Sequence, residues 1–308
     1  MRRPIFGVAA CGLVLAFVVA GAAGARTQAA SVKLTAAMSS GQEVPRPTGN
    51  LGAARGTFTA AARASGTGAV VTWRLTFRGL SGSATAAHIH VAPRGKAGPV
   101  VVPLCGPCRS GASGRETVDA SVRAALAAGR AYVNVHTAAN AAGEIRGQIA
   151  VLARIRTALN ARQERPRPEG AVGRARAAFA ATVMTSGSSA VVSWRLTFSR
   201  LTGRAVAAHI HLGARGKPGR VVVPLCGPCR SGVRGRANVR GAVLRALEQG
   251  RTYVNVHTAR NPAGEVRGQI AAVPLSLTGG SGSGGGSPPP PPPPPPTPPY
   301  PPPGDPYP

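Results

Sequence analysis

All six histidines of this 308-residue chain fall into two triads of equal spacing: His88, His90 and His136, then His209, His211 and His257. In an extended segment a His-x-His pair puts both imidazoles on one face, because side chains alternate with a period of two. His136 lies in a second apolar run, on the same face as Tyr132 and Asn134. If the two runs are neighbouring strands, three ring nitrogens meet in a donor set suited to copper or zinc. The competing reading is a polar face on which the rings only hydrogen-bond, to Asn134 and Asn255 or to loop carbonyls.

Cys105-Gly-Pro-Cys108 and Cys226-Gly-Pro-Cys229 carry the four residues of a thioredoxin-type motif. That motif depends on a helix N-terminus to lower the first thiol's pKa, and here Arg109-Ser110-Gly111 reads as a loop. A short local disulfide in each copy is the expected role; pairing between copies, metal ligation and thiol exchange are the alternatives. Glu144 and Arg146, like Glu265 and Arg267, stand two apart and are expected to share a strand face in surface or half-buried ion pairs. No Ser-His-Asp order, paired carboxylates or phosphate-cradling loop occurs, and nine acidic residues leave little for carboxylate-driven hydrolysis. The expectation is therefore a binding or structural protein with no catalytic residues.

These side chains need elements to hold them, and the chain supplies the elements twice. Phe58 and Phe179, Trp73 and Trp194, Cys105 and Cys226, and Tyr132 and Tyr253 are each separated by 121 positions. Between Gly129–Ile149 and Gly250–Ile270, 17 of 21 positions are identical, so both copies must share one fold. A unit of about 120 residues is large enough to own a core, which predicts two tandem domains rather than a solenoid. The expected modules span 32–152 and 153–275.

Within a module the pattern has period two. Val71, Trp73, Leu75 and Phe77 alternate with Thr72, Arg74 and Thr76, predicting a strand with one buried and one wet face. Ala87–Val91, Val100–Val102, Tyr132–His136 and Ile145–Ile149 read as further strands, punctuated by Gly and Pro. Val118, Val122 and Leu126, followed by Gly129, predict one short amphipathic helix with a glycine cap; Val239, Val243, Leu247 and Gly250 repeat it. The fold class that follows is all-β: two antiparallel sandwich or barrel modules, each with one short helix.

The flanks speak of address. Arg2 and Arg3, an apolar run from Ile5 to Ala20 and the small residues Ala23-Gly24-Ala25 have the make-up of a secretory leader over residues 1–25, which would carry Cys11 away. No later apolar run reaches membrane-spanning length, so no membrane span is expected after cleavage. The remaining four cysteines would then sit in an oxidising, extracellular setting. Residues 279–308 change to Gly/Ser and then to runs of proline, predicting a disordered hinge and a polyproline spacer, as for a secreted or wall-associated protein.

The formal charge is +28, and losing Arg2 and Arg3 with the leader leaves +26. Such a charge attracts anionic cell-wall or other extracellular polymers. Specific nucleic-acid binding is not expected, since arginine is spread through every segment without a basic helix or interleaved aromatics.

Ala-Ala-His88-Ile-His90-Val, Gly98-Pro99-Val-Val-Val, Tyr132-Val-Asn-Val-His136-Thr and Gly143-Glu144-Ile-Arg146-Gly-Gln148 resemble the CHRD domain, and Asn261-Pro-Ala-Gly-Glu265-Val-Arg267-Gly-Gln269 continues the likeness in the second copy. The resemblance implies an extracellular β module without a defined ligand. The His-x-His strand, the Val-x-Val-His strand and the Gly-x-x-Arg segment are also similar to the copper half of copper/zinc superoxide dismutases. That likeness implies copper on His88, His90 and His136, with Arg146 steering an anionic substrate. The bridging histidine and the zinc ligands have no counterpart here.

Overall fold

A computed structural model describes residues 31–277. The expected leader at 1–25 and the Gly/Ser and proline tail at 279–308 lie outside the described residues. Among the described residues no helix is long and apolar enough to cross a membrane.

In the first copy eight strands are made by alternating apolar residues: β1 (Val32–Ser39), β2 (Arg55–Ser65), β3 (Gly68–Arg78), β4 (Ala84–Val91), β5 (Val100–Cys105), β6 (Ser113–Val118), β7 (Ala131–Thr137) and β8 (Ile145–Gln148). They pair antiparallel in the order β5-β4-β7-β8-β1-β2-β3-β6. One bridge, Ser39 with Arg146, joins β8 to β1, so the ribbon folds there into two four-stranded layers. Phe58, Val71, Trp73 and Leu75 face Ala87, Ile89, Val133 and Val135 in the core between them, each 3% exposed or less. Burial of this kind is worth roughly 25 cal/mol per Å² of apolar surface.

The second copy repeats the plan with β9 (Ala150–Asn160), β10 (Arg176–Ser186), β11 (Ser189–Ser199), β12 (Ala205–Leu212), β13 (Val221–Cys226), β14 (Arg234–Arg240), β15 (Thr252–Thr258) and β16 (Val266–Ile270). Their order is β13-β12-β15-β16-β9-β10-β11-β14. No linker separates the copies. Ala150 and Val151 pair with Thr35 and Leu34 of the first, and the same strand pairs from Leu152 to Asn160 with β10 of the second.

The predicted helix is present as α1 (Ala120–Ala127) and α2 (Gly241–Glu248), but Val118 and Val239, read as its first apolar positions, belong to the ends of β6 and β14. Asp119 caps α1 by accepting from the Val122 amide, Val122 and Leu126 are buried, and Gly129 closes the end at φ +64°. Among the anticipated strands, β5 continues through Pro103 and Leu104 to Cys105, further than its valine run indicated.

Trp73 lies over its register partner Gly114 on β6. A Cβ at position 114 would come within 2.7 Å of the indole ring. Gly114→Ala is therefore expected to destabilise the first module by about 1–3 kcal/mol through overpacking, measured as a lower urea midpoint with unchanged slope.

Candidate metal centre

β4 and β7 are hydrogen-bonded neighbours, with His88 opposite Asn134 and His90 opposite Tyr132. The period-two rule then puts His88, His90, Tyr132, Asn134 and His136 on the face away from the apolar core. One ring nitrogen from each histidine lies within 4.8 Å of the other two, and His209, His211 and His257 form the same group. The His88 Nδ1 stands 3.1 Å from the His136 Nε2.

Backbone carbonyls orient two of the three rings. The His90 Nδ1 is 2.9 Å from the Gly98 carbonyl and the His136 Nδ1 is 2.9 Å from the Ala141 carbonyl. Each Nδ1 has a hydrogen to donate there, which leaves the Nε2 as the lone-pair nitrogen; that of His136 accepts from the His88 Nδ1. The His90 Nε2 is buried without a partner, and so is the His211 Nε2. An imidazole anchored by a carbonyl at Nδ1 presents its Nε2 as metal-ligating histidines do. Burial, followed by the neighbouring His136 and His90, pushes the His88 pKa down; burial does the same to His90. Neutral imidazole is the form that ligates.

The rings rest on a stack. Tyr132 lies parallel to His90 at 4.8 Å, and the Arg146 guanidinium sits 3.4 Å from the Tyr132 ring centroid on a buried cation–π contact. Arg146 is 2% exposed and donates to the Pro93 carbonyl. A guanidinium beneath a tyrosine does not face arriving solute, so the steering role implied by the dismutase likeness is not the one its position allows. Arg267 repeats the placement under Tyr253.

Glu144 also departs from expectation. It precedes β8 instead of lying in it, although its amide still donates to the Val135 carbonyl. Fully buried, its carboxylate accepts hydrogen bonds from the Ser81 amide and hydroxyl, the Thr137 hydroxyl at 2.6 Å and the Asn140 amide at 3.1 Å. Burial alone would raise its pKa, but these donors together hold it below the usual carboxylate range. Glu265 is held in the same way by Thr202, Thr258 and Asn261. Hydroxyl and amide donors thus take the place of the surface or half-buried ion pairs expected of both glutamates.

The outer face of β7 is not wet. All seven of its residues are buried: Arg146 and His90 cover Tyr132, the Ala141 carbonyl meets His136, and the segment from Ser40 to Ala54 closes over Asn134. Thr48 and Asn140 exchange hydrogen bonds that tie this segment down. It delivers Glu43, 2% exposed, beside Asn134 and Gly143. Burial drives the Glu43 pKa up to about 7, against the lowering effects of the Val44 amide, Arg146 and Asn134. Glu164 in the second copy is likewise raised to about 7. Neither glutamate was singled out from the sequence; the repeated Gln-Glu-x-Pro at 42–45 and 163–166 was the available signal.

Cys105 and Cys108 are bonded, as are Cys226 and Cys229. Cys105 pairs with Ala87, one residue from His88, and the Cys108 amide donates to the Ala84 carbonyl, so the bridge clamps a loop onto the histidine strand.

The sequence model of the CHRD domain matches residues 34–149 and 155–270. No curated protein and no solved structure matches the chain.

Proposed function

Because this chain belongs to the CHRD domain family, as two tandem copies, we propose that it is an extracellular binding protein whose modules each hold one copper or zinc ion on three histidines. The observation that carries this reading is the convergence of three ring nitrogens within 4.8 Å, with the Nδ1 atoms of His90 and His136 engaged by carbonyls. Imidazole nitrogens suit either metal, and a half-exposed His88 leaves a way in. The two disulfides are in keeping with an oxidising, secreted setting, whether free or associated with a cell wall. His90 and His136 are held by loop carbonyls, and an ion would take the place of the hydrogen bond between His88 and His136.

Elemental analysis after titration tests the reading. The full chain is expected to take up two equivalents of copper(II) or zinc(II), His88→Ala/His90→Ala/His136→Ala one, and the six-histidine variant none. Unchanged uptake in a folded variant, judged by circular dichroism, would remove the site. A second expectation concerns pH. Desolvation favours neutral His88, His90, His209 and His211, so protons compete weakly with the metal. Bound metal should persist below pH 6.5, and release that begins above the ordinary histidine pKa would contradict the burial argument.

A further inference from the structure

The second module bears a feature unrelated to its histidines. On the outer face of β9, β10, β11 and β14, register aligns two rows of side chains across the four strands. Arg156 faces Ala180, Ala180 faces Arg195, and Arg195 faces Arg234. One step along, Arg154 faces Thr182, Thr182 faces Ser193, and Ser193 faces Arg236. All five arginines are exposed. Arg154 and Arg156 stand on one side, Arg234 and Arg236 on the other, and Ala180, Thr182 and Ser193 give a low floor. Together they line an open trough of about 470 Å³.

None of the four strands contains an acidic residue, so no carboxylate on this sheet neutralises the group. Arg195 and Arg234 oppose each other directly, an arrangement that costs stability when both residues carry the same charge. The outward positions also lack aromatics, which leaves a nucleobase nothing on which to stack. The first module does not repeat the trough: Arg156 and Arg234 correspond to Thr35 and Ser113. Overall basicity would not explain a difference between two copies that share one fold.

The geometry points to a docking trough for a linear polyanion carrying repeated phosphate groups without bases. Guanidinium groups present flat N–H forks that bind phosphate oxygens in pairs. Strand spacing of about 4.8 Å sets them at closely repeated intervals across roughly 14 Å of sheet. A polymer lying along the small-residue floor meets arginine on both sides.

The probe is long-chain inorganic polyphosphate, its binding to the full chain followed as a function of salt. The test variant replaces Arg154, Arg156, Arg195, Arg234 and Arg236 with Gln. A charge-matched control replaces Arg63, Arg78, Arg109, Arg130 and Arg220, which are exposed and lie off this face. The trough variant should lose at least about tenfold in affinity near physiological salt and show a shallower salt slope, while the control changes less than about threefold. With Trp73→Phe as background, Trp194, buried beneath the trough, reports by its fluorescence that the sheet is folded. Equal losses in both variants would reduce the effect to net charge and overturn the proposal. So would undiminished binding in the folded trough variant, or tighter binding of single-stranded DNA than of polyphosphate.

Discussion

Glu144→Ala is expected to destabilise the first module by roughly 3–5 kcal/mol, the larger of two effects that follow from the buried carboxylates. Removing the side chain strands the Ser81 amide and hydroxyl, the Thr137 hydroxyl and the Asn140 amide, all turned toward one anion. A hydrogen bond to a charged group contributes about 1.5–3 kcal/mol, and a buried donor without an acceptor costs about 1–3 kcal/mol; the losses overlap because water enters the vacated space. Glu144→Gln keeps the shape but turns an NH₂ group toward other donors, so an intermediate loss is expected. With Trp194→Phe as background, Trp73 is the remaining tryptophan and its fluorescence reports urea unfolding of the first module. Wild-type-like stability of the alanine variant would mean that the carboxylate does not organise this corner. Because Thr137 and Asn140 belong to the turn whose Ala141 carbonyl holds His136, the same variant should also weaken metal uptake by the first module.

The second effect is a dependence on pH opposite to that of a paired carboxylate. Glu43 and Glu164 have native pKa values near 7 against 4.5 when exposed. Between these values the native state binds more protons than the unfolded chain, so stability falls as pH rises through that window and the whole penalty is present above it. The difference corresponds to roughly 3 kcal/mol for each carboxyl. Wild type should therefore lose stability between pH 5 and pH 8 relative to Glu43→Gln/Glu164→Gln, whose side chains do not titrate. Comparing the two proteins cancels the histidines, whose lowered pKa values act in the other direction: their contribution grows as pH rises toward 6.5. Parallel stability–pH curves for the two proteins would contradict the burial of these groups as acids.

These carboxylates also show where sequence reasoning reached its limit. Alternation in Ala87–Val91 and Tyr132–His136 correctly assigned every imidazole to the face away from Ile89 and Val133, because strand geometry is local and its period is two. It could not say what covers that face. Part of the cover comes from Ser40–Ala54, some 90 residues from Asn134 and Asn140, and it turns a polar face into a second, polar interior. The i, i+2 spacing of Glu144 and Arg146 misled for a related reason: Ser81, Thr137 and Asn140 gather around the Glu144 carboxylate while Arg146 lies over Tyr132, and neither set of partners is near in sequence to both charges.

The amino-acid order alone determined that there are two like modules, that each is built of alternating strands with one small helix, and which residue types share a face, since repeats, periodicity and caps are carried by near neighbours along the chain. Tertiary structure decided that β4 lies beside β7, that Tyr132 comes between Arg146 and His90, that Glu43 is buried, and that β9 runs unbroken from one module into the next. Strand pairing joins residues distant in sequence, and its outcome depends on the packing of the whole sheet, which no single segment encodes.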